Sequence, residues 1–336
     1  MTTRRRFFAA AAGAAMSGFP AVIRPSRAAE PITVVTPLGF TIDFLDTMNA
    51  LSGGHFAREG LDAKVIGATN GVQMLQLLVS GQVTFGRGGS ADVARAFAAH
   101  QSMPLSIASI AQGCTFRVFS LKAKPVLEPA HFKGKIVGLI TLASATGIYL
   151  DVMLAKAGLK PDDVERQATG GTPGAFEILK QGRVDCFIAP HSIEAALERA
   201  GAPVEVWNPG SYLPLPGQCY YALSETLKTK RDITTRFLKA HKASMDELLA
   251  GPIAPILTRA AASFDIPGIA DHALAIAMVK ADLGDLTLGG DGKELMVNLP
   301  GQWQAGCDAL RLAGIADIAD PHALYTNEFI DKALKA

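Results

Sequence analysis

Leu75-Gln76-Leu77-Leu78-Val79-Ser80-Gly81-Gln82-Val83-Thr84-Phe85-Gly86 reads as the end of a helix, a tight glycine turn and a β-strand. The same order returns at Phe176-Glu177-Ile178-Leu179-Lys180-Gln181-Gly182-Arg183-Val184-Asp185. Leu75, Leu77, Leu78, Gly81, Val83 and Ala94 meet apolar or identical counterparts in Phe176, Ile178, Leu179, Gly182, Val184 and Ala195, each 101 residues later. Two copies of one helix, turn, strand, loop and helix unit point to two lobes of the same architecture, and two lobes imply a cleft. Generic α/β patterning is the competing explanation for so long a period.

Outward from the first copy, short β-rich runs alternate with helical patterns. Strands are expected at Ile32–Thr36, Ala63–Gly67, Val83–Gly86 and Leu105–Ala111, with helices at Phe44–Glu59, Val72–Val79 and Ala91–Ala99. Around the second copy the expected strands are Ile136–Ile140, Val164–Ala168, Asp185–Ala189 and Val204–Trp207. The helices there are Ile148–Ala157, Gly174–Gln181 and Ile193–Ala200. After Tyr221 the pattern turns helical, at Arg231–Ala250, Ile253–Ser263, Ile269–Leu283 and Gly301–Ala313. This βαβα order implies mostly parallel sheets covered by helices on both faces, although alternation alone leaves a barrel open.

With 49% hydrophobic and 19% charged residues among 336, the chain can bury a large core, which sets disorder aside. Arg4-Arg5-Arg6 precede an uncharged, Ala-rich run from Phe7 to Ile23, with Ser26 and Ala28 at small-residue spacing. That layout reads as a signal peptide over residues 1–28, and Thr3-Arg4-Arg5-Arg6-Phe7-Phe8 resembles a twin-arginine export signal. Its removal takes five arginines and leaves 27 cationic side chains against 31 acidic ones, a formal charge of −4. No basic stripe remains, so no nucleic-acid partner is expected. Cys114, Cys186, Cys219 and Cys307 form no C-x-x-C pair, which argues against a zinc or redox motif.

Ligands of open parallel sheets collect at the carboxyl ends of strands, where helix N-termini present backbone N–H groups. That rule selects the loops 37–41, 68–72, 86–90 and 111–113 of the first lobe and 141–146, 170–172 and 189–192 of the second. Gly88-Gly89-Ser90 offers close backbone approach and a hydroxyl, and Thr141 to Gly147 offers three hydroxyls before a helix. Capping alone accounts for such hydroxyls equally well. Phe40, Tyr149, Tyr220 and Tyr221 are candidates for an aromatic wall, and Arg87 for an acidic group. His191 reads as a hydrogen-bonding cleft residue, since no nucleophile motif partners it. There is no G-x-S-x-G, H-E-x-x-H, P-loop or G-x-G-x-x-G signature.

Leu77 to Gly86, Phe132-Lys133-Gly134-Lys135-Ile136-Val137-Gly138, Leu154 to Leu159 with Asp163-Val164, and Ala175 to Asp185 follow one another in an order that resembles the nitrate, sulfonate and taurine binding proteins. The thiamine-precursor binders are grouped with them. The resemblance covers about residues 31 to 250. It implies an α/β, two-lobed periplasmic-binding-protein type II fold, with residues 30–118 and 223–336 as a discontinuous first lobe and 119–222 as the second. It also implies a monomeric, non-enzymatic periplasmic protein without cofactor or metal, which hands a small organic anion or heterocycle to the permease of an ABC importer. Matching the family's contacts points to Phe40, Val72, Ser90, Gln112, Ser144, Ala145, Thr146, Thr172 and His191, to which the loop reading adds Gly89 and Tyr220. Thr84 stands for the usual Asp, Ser144 to Thr146 for a Gly-Ser-x-x-His pattern, and Ala189-Pro190-His191 for a Trp-containing loop. Sulfonate, taurine and nitrate therefore do not carry over. An exported enzyme using His191 as acid or base, and a sensor for a membrane receptor, are the other readings; the cysteine-rich motif of the related pyrimidine-forming enzyme is absent.

Overall fold

The computed structural model describes residues 28–99, 104–284 and 295–335. The expected export signal lies, but for Ala28, outside the described residues.

Ten strands form two five-stranded sheets. The first holds β1 (Glu30–Thr36), β2 (Leu61–Gly67), β3 (Phe85–Gly88), β4 (Leu105–Ala111) and β10 (Gln218–Ala222) in the order β2-β1-β3-β10-β4. The second holds β5 (Phe116–Leu121), β6 (Ile136–Leu139), β7 (Glu165–Ala168), β8 (Cys186–Pro190) and β9 (Val204–Trp207) in the order β7-β6-β8-β5-β9. In each sheet four strands share one direction, three of them joined by parallel ladders: β1 with β2 and β3, and β6 with β7 and β8. The fourth place is taken by a strand of opposite direction, β10 in the first sheet and β5 in the second. The chain passes between the sheets at 112–115 and returns at 208–217.

The parallel strands show why the pattern reads as α/β. Ile32, Val34, Val35 and Thr36 of β1 are all buried, the near-continuous apolar run of a strand covered on both faces. The repeated unit is repeated in its hydrogen bonds as well. Gly81 N–H donates to the Leu78 carbonyl and Gln82 N–H to that of Leu77; Gly182 and Arg183 donate to Leu179 and Ile178 in the same way. Both are Schellman endings, with the glycines at φ +73° and +70°, a conformation that favours glycine.

Several expectations shift. Phe44–Glu59 is not one helix: a 3-10 turn at Ile42–Phe44 leads into helices Leu45–Ser52 and His55–Arg58, separated where Gly54 adopts φ +71°. The strands Phe116–Leu121 and Gln218–Ala222 appear in no sequence pattern drawn above. They also move the exchange points, since all of β5 lies in the second sheet and all of β10 in the first, a few residues before the bounds 118/119 and 222/223. The helix Arg231–Ala250 takes the range read from its periodicity and buries Phe237, His241, Met245 and Leu248 along one face. All four cysteines are buried free thiols.

Crossing segment 208–217 is held by packing. Leu213 and Leu215 are fully buried, and Leu215 sits so close to Gly306 of the helix Pro300–Leu312 that a Cβ there would come within 2.3 Å of it. Among the described residues no helix is long and apolar enough to cross a membrane.

Neither Gly81 nor Gly182 has an atom within 4 Å of an added Cβ, so substitution there tests backbone strain alone. Gly81→Ala and Gly182→Ala are each expected to lower stability by about 1–2 kcal/mol, equally in both lobes, as read from urea unfolding midpoints.

Candidate functional site

Between the sheets, at the carboxyl ends of β1, β3, β4 and β8, lies a cavity of about 80 Å³. The first-sheet side supplies Leu38, Asp43, Phe44, Asp46 and Arg87; the crossing strands supply Thr115, Phe116 and Gln218. Pro190 and His191 close it from the second sheet, and the helices Arg231–Ala250 and His272–Gly284 supply Met245, Leu248, Val279, Asp282 and Leu283. Its wall is mainly apolar with a few charged groups, the composition of a small-molecule site.

One side of the cavity is a buried polar network. Arg87 stands in β3 with its side chain 4% exposed and is ion-paired with Asp46, whose side chain is 7% exposed. The guanidinium also donates to Thr47 Oγ1 at 3.1 Å and to the Asp43 carbonyl at 3.2 Å, and lies 4.9 Å from the centre of the Phe44 ring. The other carboxylate oxygen of Asp46 is 2.9 Å from His241 Nε2. Tyr220 OH, at 2.6 Å from both His241 Nε2 and Thr47 Oγ1, completes the cluster. Burial opposes ionisation of Asp46, but Arg87 and His241 outweigh it and hold the carboxyl at about 2. Burial pushes His241 below the usual histidine range, so its ring is neutral. An ionised Asp46 accepts only, so the network assigns the ring proton to Nε2.

The opposite side joins the sheets. Ser192 Oγ, just after β8, donates to Asp43 Oδ1 at 2.6 Å. His191 Nε2 lies 3.1 Å from Asp282 Oδ1, and His191 Nδ1 lies 3.1 Å from the Thr115 carbonyl. A carbonyl can only accept, so Nδ1 carries a proton and Nε2 faces the Asp282 carboxyl. Burial, reinforced by the nearby Asp43 charge, pushes Asp282 up to about 7 despite His191. The chemistry available is a proton near neutral pH beside an apolar wall.

Of the side chains singled out from sequence, Arg87 and His191 line this cavity, and Tyr220 stands one layer behind it in the buried network. Phe40 packs against Phe264 at 5.0 Å between ring centres. Ser90 donates to the Pro216 carbonyl on the returning crossing segment, and Gln112 donates to the Val297 carbonyl at 3.2 Å while its own carbonyl accepts from Gln302. Ser144 and Thr146 bond each other at 2.7 Å, and Ser144 also bonds the Thr141 carbonyl, closing the loop before their own helix. Gly89 and Ala145 meet where the helices Ser90–Ala99 and Ala145–Lys156 approach: an added Cβ on Gly89 would lie 3.6 Å from that of Ala145. Val72 sits half-buried in the first turn of its helix, and Thr172 is exposed, its carbonyl accepting from Ala175 N–H at 3.0 Å. The aromatic part of the cavity wall is Phe44 and Phe116 in place of the expected tyrosines. Arg87 is spent on Asp46 in place of a ligand acid. Asp43, Asp46, His241 and Asp282 were not singled out, and only their polarity inside apolar helical patterns marked them.

A family model described as NMT1/THI5 like matches residues 41–254. A 4-amino-5-hydroxymethyl-2-methylpyrimidine phosphate synthase of Saccharomyces cerevisiae is 26% identical over 222 residues, 61% of this chain and 63% of that protein. The chain thus spans about 63% of the length of that curated relative. A formylaminopyrimidine-binding protein of Halalkalibacterium halodurans is 27% identical over 166 residues, 48% of this chain and 49% of that one. Among solved structures, the periplasmic aliphatic sulphonate binding protein of Escherichia coli superposes with a TM-score of 0.65 at 18% identity, covering 90% of this chain and 99% of its own. The architecture is the two-lobed periplasmic-binding-protein type II fold.

Removing the charge of Asp46 strands a buried guanidinium, so Asp46→Asn should cost about 3–5 kcal/mol in unfolding free energy. Asp282 behaves oppositely. Its folded pKa of about 7 lies above the ordinary 3.8, so the folded state holds a proton that the unfolded state has released, and stability falls as pH rises between those values. Asp282→Asn should therefore match the wild-type melting temperature at pH 4 and exceed it at pH 8.

Proposed function

The chain belongs to the NMT1/THI5-like family, and on that footing we propose that it is an exported solute-binding protein of the periplasm. It captures a small heterocyclic compound in the cavity between its lobes and delivers it to the permease of an ABC importer. The observation that carries this reading is the placement of one apolar cavity with few polar groups at the strand ends of both sheets, closed by residues from each. Only a molecule touching both lobes stabilises their approach, and that is how a binding protein reports occupancy. The lobes are residues 30–118 with 223–336, and 119–222, adjusted at the crossings as the sheets require. The segments 112–115 and 208–217 are where they hinge. Export follows from the twin-arginine-like N-terminus, and the protein acts as a monomer.

A pyrimidine-type ligand is favoured over an anion. The relatives by sequence are named for aminopyrimidines, and the one guanidinium lining the cavity is already neutralised by Asp46. The yeast relatives also support a second reading, an enzyme of the same fold, in which His191 and Asp282 would serve as acid or base.

A thermal-shift screen of the purified protein against aminopyrimidines, sulfonates, carboxylates and aromatic acids, with mass analysis of every hit, separates the two. A ligand bound only by the folded state adds about 2.7 kcal/mol at a hundredfold excess over Kd. An aminopyrimidine recovered unchanged is the expected result; one that is consumed moves the protein to the enzymes, and a panel without any hit removes the capture role.

A further inference from the structure

The cavity is unbalanced in charge. Asp43, Asp46 and Asp282 line it, against one guanidinium and one imidazole. Arg87 and Asp46 cancel each other at contact distance, and Asp46 is further held by His241. What remains facing the space is Asp43, bonded to the neutral Ser192 hydroxyl, and Asp282, within reach of His191. Two carboxylates thus share a largely apolar enclosure in which, among the described residues, the basic groups of the lining are Arg87, already paired with Asp46, and His191.

The uncharged polar atoms point the same way. Gln218 Oε1 and Thr115 Oγ1 line the cavity, are buried, and have no hydrogen-bond partner, and the amide oxygen can only accept. Arg87 Nε, on a side chain 4% exposed, also lacks a partner, which leaves one buried N–H for an acceptor atom of a ligand. Buried polar groups of this kind are satisfied by whatever fills the cavity, water or a ligand. A molecule that satisfies this set offers several N–H donors and one acceptor on a compact apolar body.

We infer that the ligand of this cavity is an organic cation, an ammonium or amidinium-type group on a small apolar frame, whose N–H donors face Asp43 and Asp282. This rests on the capture reading and narrows its ligand class. An anion of the same shape would add a charge beside two carboxylates in a site with little water to screen it. A cation supplies the compensation that the protein withholds. Binding then has a proton signature: a positive charge beside Asp282 lowers its pKa from about 7, so uptake near neutral pH releases a fraction of a proton.

Calorimetric titration with isosteric sets tests this: acetamidinium, acetamide and acetate, then benzamidinium, benzamide and benzoate, at pH 7 in two buffers of different ionisation enthalpy. At least one cation is expected to bind about tenfold or more tighter than its neutral isostere, a difference of about 1.4 kcal/mol, with proton release and without binding of the matching anion. Asp282→Asn should abolish the tenfold preference and the proton release together. The wild-type proton count keeps the test informative if that variant folds poorly. Tighter binding of an amide or carboxylate, or a series in which no cation binds, overturns the charge class and leaves the capture role to its own screen. A cation that binds preferentially and is chemically converted upholds the charge class and overturns the capture role.

Discussion

A guanidinium removed from water has to be answered by charge and hydrogen bonds together, and around Arg87 this requirement organises the site. Its partner Asp46 stands in the first turn of the helix Leu45–Ser52 and is bonded in turn to His241, halfway along the helix Arg231–Ala250. Three elements far apart in sequence are thereby locked at one distance: the end of β3, the helix after β1 and the long helix of the C-terminal part. Tyr220 brings β10 into the same network through Thr47 and His241. The pair's worth lies less in net stability than in fixing one arrangement, because breaking it leaves an unpaired buried charge. The orientation of Phe44 and the backbone at Asp43, both part of the cavity wall, follows from it.

Across the cavity the interactions are of another kind. The bonds from Ser192 to Asp43 and from His191 to Asp282 join groups on opposite sides of the cleft, and they are few, polar and at the edge of an apolar space. Such contacts can be exchanged for contacts to a ligand at little cost, whereas the Arg87 network cannot. A rigid half and an exchangeable half are what a cleft needs if occupancy is to change how the lobes meet.

Much of the fold was legible in the sequence for a plain reason. Strands covered on both faces carry near-continuous buried runs, and helices carry a 3.6-residue period, so β4 and the helix Arg231–Ala250 fall on the residues expected. The glycine at each Schellman ending marks its turn by a conformation few other residues adopt. The crossing strands β5 and β10 were not legible. Phe116–Leu121 and Gln218–Ala222 are short, lie inside irregular stretches, and owe their extended form to distant neighbours, more than sixty residues away for the first and more than a hundred for the second. The site was legible only in outline. Of the strand-end loops read from the sequence, 37–41, 86–90, 111–113 and 189–192 reach the cavity wall, the last through His191. Hydroxyls such as Ser90, Ser144 and Thr146 carry the composition of a binding loop and yet close turns or crossings. The carboxylates of the cavity sit on helices, where a charged residue ordinarily faces water, and nothing in local sequence distinguishes Asp282 from a solvated one.

The exchange of strands also sets an order in time. All five strands of the second sheet are contiguous, from Phe116 to Trp207, so that sheet has every partner once its own stretch of chain exists. The first sheet does not. Its edge strand β4 pairs with no strand but β10, and β10 lies more than a hundred residues downstream, so the first half of the chain to be made waits with a vacant place between β3 and β4. In a ribosome-bound chain the later lobe is therefore the earlier to be finished, and the site, which needs Gln218, Met245 and Asp282, is assembled last of all.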